Sequence, residues 1–124
     1  MIAYTTIGTN DEAKSREFYD ALLSELGAKV AVEVPRVTLY AGAEGAPFFG
    51  IATPADGKRA CVGNGSMIAL GASSPEEVDR LHAKALELGA KDDGAPGPRK
   101  NGDLEFYAGY FRDLDGNKLN FFYM

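Results

Sequence analysis

The residues able to do chemistry in this chain are few. There is one histidine, His82, and one cysteine, Cys61, in 124 residues. A lone cysteine rules out an internal disulfide and a multi-cysteine metal site. Cys61 lies close to Lys58 and Arg59, an electropositive setting of the kind that activates thiols, but a connecting-loop cysteine is expected to be inert. His82 sits beside Leu81 and four residues after Val78, at the margin of an apolar helical stripe. It reads as a partly buried or surface histidine of a helix on the outside of the sheet. That leaves phenols, hydroxyls and amides. The C-terminal stretch YAGYFRDLDGNKLNFFYM holds Tyr110 and, among Leu119, Phe121 and Phe122, a polar residue, Asn120. Tyrosines at such places serve as proton donors or, when strongly shifted, as bases. Among the basic residues, Lys58, Arg59, Arg99 and Lys100 are expected in solvated loops, where they are also placed to attract an anion. Arg112 is expected to anchor the final hairpin by ion pairing.

The elements that must position these residues follow from pattern. MIAYTTIG alternates and is rich in β-branched and aromatic residues, so it reads as a strand. TNDEAKSREFYDALLSELG reads as an amphipathic helix, with Thr9 and Glu12 as a capping box, Phe18, Leu22 and Leu26 along one stripe, and Gly27 at the end. AKVAVEV, RVTLYAG and PFFGIAT are three short strands separated by proline and glycine. PADGKRACVGNG reads as a joint. The pattern then restarts: SMIALGA as a strand, SSPEEVDRLHAKALELG as a helix with Ser74 as cap, Pro75 in the first turn and Glu77 completing a capping box. DDGAPGPRKNGD reads as a turn-rich loop that flanks at most one short strand. LEFYAGYF and KLNFFYM pair as a hairpin across Asp115, Gly116 and Asn117. The restart is visible in letters too: ALLSELGAK at 21–29 returns as AKALELGAK at 83–91, and Gly8 returns as Gly71. A strand–helix–several-strand unit occurs twice, which reads as a tandem duplication.

Composition bounds the rest. With 45% hydrophobic residues the chain can bury a core, and its length suits one domain. Thirteen basic against eighteen acidic residues, a net charge of −5, argue against a nucleic-acid surface, which needs a basic stripe. No apolar run is long enough to span a bilayer and no secretory leader is visible, so a cytoplasmic protein without membrane contact is expected. The acidity is weakly suited to a cationic ligand.

The doubled βαβββ unit, the first helix FYDALLSELG and the terminal RDLDGNKLNFF together resemble the vicinal oxygen chelate superfamily, which includes glyoxalase I, bleomycin-resistance proteins, fosfomycin-resistance enzymes and extradiol dioxygenases. The resemblance covers essentially the whole chain, and the C-terminal turn motif is its most specific part. It implies an α+β fold in which tandem βαβββ modules, about 1–55 and about 65–124, form an eight-stranded mixed-sheet cup within one domain, commonly as a homodimer. It also implies four metal-ligand places, normally histidine and glutamate. Here they fall on Tyr4, near Gly50, on Met67 and on Asn120. None is a ligand that a divalent cation prefers, so no metal and no other cofactor is expected.

Residues two apart on a strand share a face, which brings Thr6 with Tyr4 and Phe122 with Asn120. In fosfomycin-resistance relatives, a tyrosine ten residues before the carboxylate ligand and a threonine two residues after the first histidine serve the bound drug. By position these correspond to Tyr110 and Thr6. The expected ligand-binding set is therefore Tyr4, Thr6, Met67, Tyr110, Asn120 and Phe122, with no catalytic residue identified. The expected function is a metal-independent binder of a small organic molecule, as in bleomycin-resistance proteins. The alternatives are a lyase or isomerase of lactoylglutathione lyase type and a vestigial dimer whose cup is filled. In the filled case the tyrosine hydroxyls and Asn120 hydrogen-bond to one another.

Overall fold

The computed structural model describes residues 1–124. It is an α+β structure in which the chain forms two compact units, Met1–Val62 and Gly63–Met124. The first unit runs β1 (Tyr4–Gly8), α1 (Glu12–Ser24), β2 (Lys29–Val34), β3 (Val37–Ala41) and β4 (Phe48–Ala52). The second runs β5 (Ile68–Gly71), α2 (Pro75–Glu87), β6 (Lys91–Asn101), β7 (Leu104–Arg112) and β8 (Lys118–Tyr123). The eight strands make two four-stranded mixed sheets, ordered β1-β4-β3-β2 and β5-β8-β7-β6. In each, the first strand runs parallel to the last and the remaining pairings are antiparallel. The duplication read from the sequence is thus a duplication of topology.

One face of each sheet is covered by that unit's helix. In the first unit Phe18, Tyr19, Leu22 and Leu23 of α1 and Tyr40, Phe49 and Ile51 of the sheet are buried. The Tyr40 hydroxyl donates to Asp20 of α1 at 2.7 Å. Burial, and then this carboxylate, push the phenol's pKa well above its ordinary value. In the second unit Val78, Leu81 and Ala85 of α2 meet Phe111, Leu119 and Phe121, with the last pair of rings stacked at 5.3 Å. Apolar burial of this kind contributes about 25 cal/mol per Å².

Two helix-cap expectations need correction. The N-cap of α1 is Asp11, whose carboxylate accepts from the Lys14 amide at 3.1 Å. Thr9 instead accepts from the Asp11 amide at 3.1 Å. A threonine two residues upstream turns the chain into the helix, and the aspartate caps it. In α2, Ser74 is the cap as expected. The Glu77 carboxylate, however, reaches the amide and hydroxyl of Ser73 at 2.6 and 2.7 Å, which hold its pKa below the usual range.

The largest correction is β6. The segment read as a turn-rich loop is an eleven-residue edge strand paired with β7. Its prolines and glycines are accommodated because an edge strand can leave amides unpaired and because the register shifts between Asp92 and Gly94 and between Gly94 and Gly97. His82 is also deeper than expected, at 4% exposure. Its Nε2 lies 3.0 Å from the Tyr110 carbonyl and 3.2 Å from the Asp92 carboxylate. Both partners accept, so Nε2 carries the proton and the imidazole ties α2 to β6 and β7. Gly109 leaves room for it: a Cβ there would lie 3.0 Å from the ring and 2.9 Å from Pro96.

Candidate functional site

The faces turned away from the helices carry the residues singled out by parity. In the first unit, Tyr4, Thr6 and Gly8 of β1 align with Phe48, Gly50 and Ala52 of β4. Leu39 and Val37 of β3 pair with Gly50 and Ala52, and Val32 and Val34 of β2 pair with Leu39 and Val37. Paired residues share a face, so one side of this sheet is almost wholly apolar. A groove of about 500 Å³ lies on it. Tyr4 and Thr6 line it, together with Val32, Val34, Val37 and Leu39, and Arg36 stands at its end. Gly50, beneath the groove, lets Leu39 and Thr6 approach each other. A Cβ there would overlap Leu39 Cδ2 and lie 3.1 Å from Thr6 Cγ2.

Arg36 occupies an unusual place. The two-residue Pro35–Arg36 connection between β2 and β3 gives Arg36 a φ of +70°, and no other residue but glycine has positive φ. Proline followed by positive φ fits a type II turn, whose second central position favours glycine or asparagine. The Arg36 carbonyl accepts from the Thr53 amide at 2.9 Å, and its guanidinium donates to the Thr53 carbonyl at 3.0 Å.

In the second unit, Tyr110, Asn120 and Phe122 share the face opposite α2. Tyr110 pairs with Asn120, and Ala108 pairs with Phe122. The Phe122 ring lies 5.2 Å from that of Phe106. Two cations approach the Tyr110 ring, Arg99 at 5.7 Å and Lys118 at 5.4 Å from its centroid. Arg99 had been expected in a loop; β6 carries it onto this face, opposite Phe106. A long edge strand hidden in a proline-rich stretch was the signal missed, and the alternation Gly97, Arg99, Asn101 within it is the pattern that places Arg99. Lys100 points to the other side and pairs loosely with Glu105 at 3.9 Å. Arg112 does anchor the hairpin region as expected, bonding Asp93 at 3.0 Å and the Gly116 carbonyl at 3.3 Å.

Asn120 is 1% exposed, and its Oδ1 has no hydrogen-bond partner. The network of tyrosine hydroxyls closing on this amide, expected for a filled site, is therefore not formed. Met67 precedes β5 and is exposed. Cys61, Lys58 and Arg59 lie exposed in the segment after β4. Part of that segment is fastened to the first unit, since Asn10 exchanges two hydrogen bonds with the Ala60 backbone at 3.0 and 2.7 Å. The phenols whose pKa is raised, Tyr40 by burial and Tyr107 by its hydrogen bond to Asp79, face the helices.

The strand registers also relate two of the four places where the family resemblance expects metal ligands. Thr6 aligns with Gly50, and Ala69 with Asn120, so Gly50 and Asn120 occupy equivalent places in the two units. A phenol, a hydrogen, a thioether and one amide oxygen do not make a donor set for a divalent cation that prefers imidazole and carboxylate. No group of three or more histidine, cysteine, aspartate or glutamate side chains is gathered anywhere in the chain.

Comparison with known proteins agrees with this geometry. Residues 1–121 match the profile of the Glyoxalase/Bleomycin resistance protein/Dioxygenase superfamily. A glyoxalase/bleomycin resistance protein from Albidiferax ferrireducens T118 is 37% identical, superposes with a TM-score of 0.90, and is matched over 100% of this chain and 99% of its own. Protein SA1046 from S. aureus is 27% identical with a TM-score of 0.74, over 98% of this chain and 91% of its own. A glyoxalase-related enzyme from Fulvimarina pelagi, at 18% identity and a TM-score of 0.77 over 100% and 88%, shares the fold. No curated protein matches the chain. By profile, by identity over its full length and by topology, the chain belongs to the Glyoxalase/Bleomycin resistance protein/Dioxygenase superfamily.

Proposed function

We propose that this chain is a small-molecule-binding member of its superfamily, acting as a homodimer and recognising its ligand without a divalent metal. The observation that carries the reading is the groove on the first sheet. It holds about 500 Å³, within the size range of sites for small organic ligands. Its walls are aliphatic, Gly50 beneath it lets Leu39 and Thr6 close together, and Tyr4 and Thr6 supply hydroxyls at one edge. On the second sheet, Tyr110, Asn120 and Phe122 offer an aromatic and amide surface of the same kind. The metal-ligand places hold groups that would bind a divalent ion weakly, so the reading routes recognition through shape, apolar contact and hydrogen bonds. The description of the Albidiferax ferrireducens relative as a glyoxalase/bleomycin resistance protein is compatible with drug-type ligand binding.

A thermal-shift screen of small aromatic and aliphatic compounds tests it, run once with EDTA and once with added nickel or zinc. The expected result is that hits raise the melting temperature equally in both, and that metal analysis after dialysis finds well below one ion per chain. Lactoylglutathione formation should stay at background in either condition. One tightly held ion per chain, lost on replacing Tyr4 or Asn120 and needed for every ligand response, would overturn the reading.

A further inference from the structure

We infer that the ligand of the first-unit groove is an amphipathic organic anion, with an apolar body against Val32, Val34, Val37 and Leu39 and its negative group on the Arg36 guanidinium. The inference rests on the small-molecule reading above and names the class of molecule it takes. It also runs against the whole-chain charge of −5, which by itself suits a cation.

Two separate observations support it. The first is the composition of the groove: of its lining residues Arg36 alone is charged. A neutral ligand would need no such group, and a cationic one would be repelled by it. The second is the backbone. A φ of +70° costs a branched or long side chain free energy that glycine or asparagine would not incur. A turn selected only for connecting β2 to β3 would carry one of those. Arginine there projects a long cationic side chain from a rigid two-residue hairpin turn, and the Thr53 carbonyl orients it through one N–H. No carboxylate pairs with this guanidinium, whereas Arg16 pairs with Glu33 at 2.6 Å and Arg112 with Asp93 at 3.0 Å. Its remaining N–H groups suit a planar carboxylate or a sulfonate.

Two fluorescent dyes of one shape separate the inference from the reading beneath it. Anilinonaphthalene sulfonate carries an anionic group, and N-phenylnaphthylamine is its neutral counterpart. The expected result is that both bind the wild-type protein. Arg36→Asn, which suits the backbone and so keeps the fold, should weaken the sulfonate by about five- to tenfold and leave the neutral dye within about twofold, consistent with one exposed charge-assisted contact. Arg36→Lys should recover most of the loss, and Lys14→Gln, on the exposed side of α1, should change neither dye. If neither dye binds the wild-type protein, the groove is not a ligand site and both the reading and the inference fail. If both bind but Arg36→Asn leaves the sulfonate unchanged, or weakens the two dyes equally with an unaltered circular dichroism spectrum, the small-molecule reading stands and the anion inference fails.

Discussion

Replacing Asn120 by leucine should stabilise the protein, which is the reverse of what removing a buried polar residue usually does. The residue is 1% exposed and its Oδ1 is unpartnered. A buried acceptor without a donor costs about 1–3 kcal/mol in lost hydration, and leucine removes that cost. Leucine is also larger, and forcing extra volume between Tyr110 and Ala69, the residues paired with it on the neighbouring strands, costs on the order of 1 kcal/mol or more in a packed setting. Ala69 is small and exposed, which leaves room on that side, so the first effect should win by about 1 kcal/mol. For a chain of this size that is a rise of roughly 3–5 °C in melting temperature. Urea unfolding followed by circular dichroism should show a higher midpoint at unchanged slope. The same variant should lose the response to those screening hits that contact the second sheet, because the amide is the one hydrogen-bonding side chain buried on that face. A fall in stability of more than about 1 kcal/mol would mean that the amide has partners in solution, through water or protein, whose loss is felt. The account of Asn120 as an amide held for a ligand would then be wrong.

Two further outcomes follow from the same structure. Tyr40 is a buried phenol donating to Asp20, and its folded pKa is raised, by burial first and the carboxylate second. The unfolded phenol ionises near pH 10 while the folded one holds its proton, so stability is present below about pH 10 and is lost as pH rises beyond it. Tyr40→Phe should cost about 1 kcal/mol at neutral pH and flatten this alkaline loss in urea titrations between about pH 9 and 11; an unchanged alkaline limb would show that Tyr40 is not its source. For the proposed homodimer, sedimentation equilibrium at micromolar concentration should give twice the chain mass, as expected where Tyr4, Val34, Met67 and Leu104 are left exposed. A single species at the chain mass would refute it.

The pattern-level readings held wherever local chemistry decides structure. Both helices, seven of the eight strands and the C-terminal hairpin are where alternation, 3.6-residue periodicity and turn residues put them. The hairpin is legible because Asp113 is built to make it: its carboxylate accepts from the Asp115 and Asn117 amides, each at 2.9 Å, and from the Asn117 side chain at 3.0 Å. Strand β6 escaped because its composition is that of a loop. Only pairing along β7, an edge position and two register shifts turn glycines and prolines into a strand, and none of these can be read locally. The same omission hid the partners of His82, since Asp92 and Pro96 approach it only once β6 is in place. Parity grouped Tyr4 with Thr6 and Asn120 with Phe122, and each pair does share a face of its strand; Tyr110, suggested by the family resemblance, pairs with Asn120 across the strands. Arg36 gave no sequence signal beyond a proline before it. Its importance lies in a dihedral angle and in the apolar character of what surrounds it, and both are properties of the folded hairpin.

The internal duplication sharpens what the two units have become. At equivalent registers, opposite Thr6 in one and Ala69 in the other, stand Gly50 and Asn120. Glycine at that place lets Leu39 and Thr6 approach and leaves an apolar floor. Asparagine at the other keeps a polar atom in a buried position without a protein partner. The cations have diverged too: in the first unit the cation facing the groove is Arg36, in the β2–β3 turn, while in the second Arg99 and Lys118 come from β6 and β8 and lie over Tyr110. A site that had simply decayed would be expected to lose polar groups at such places, because an unpaired buried amide and a strained arginine each lower stability. Both are present here, in different units and by different structural means. A buried unpartnered amide on the second sheet and a positive-φ arginine in the first unit's turn are features that the ligand-binding proposal explains and a filled, vestigial site would not.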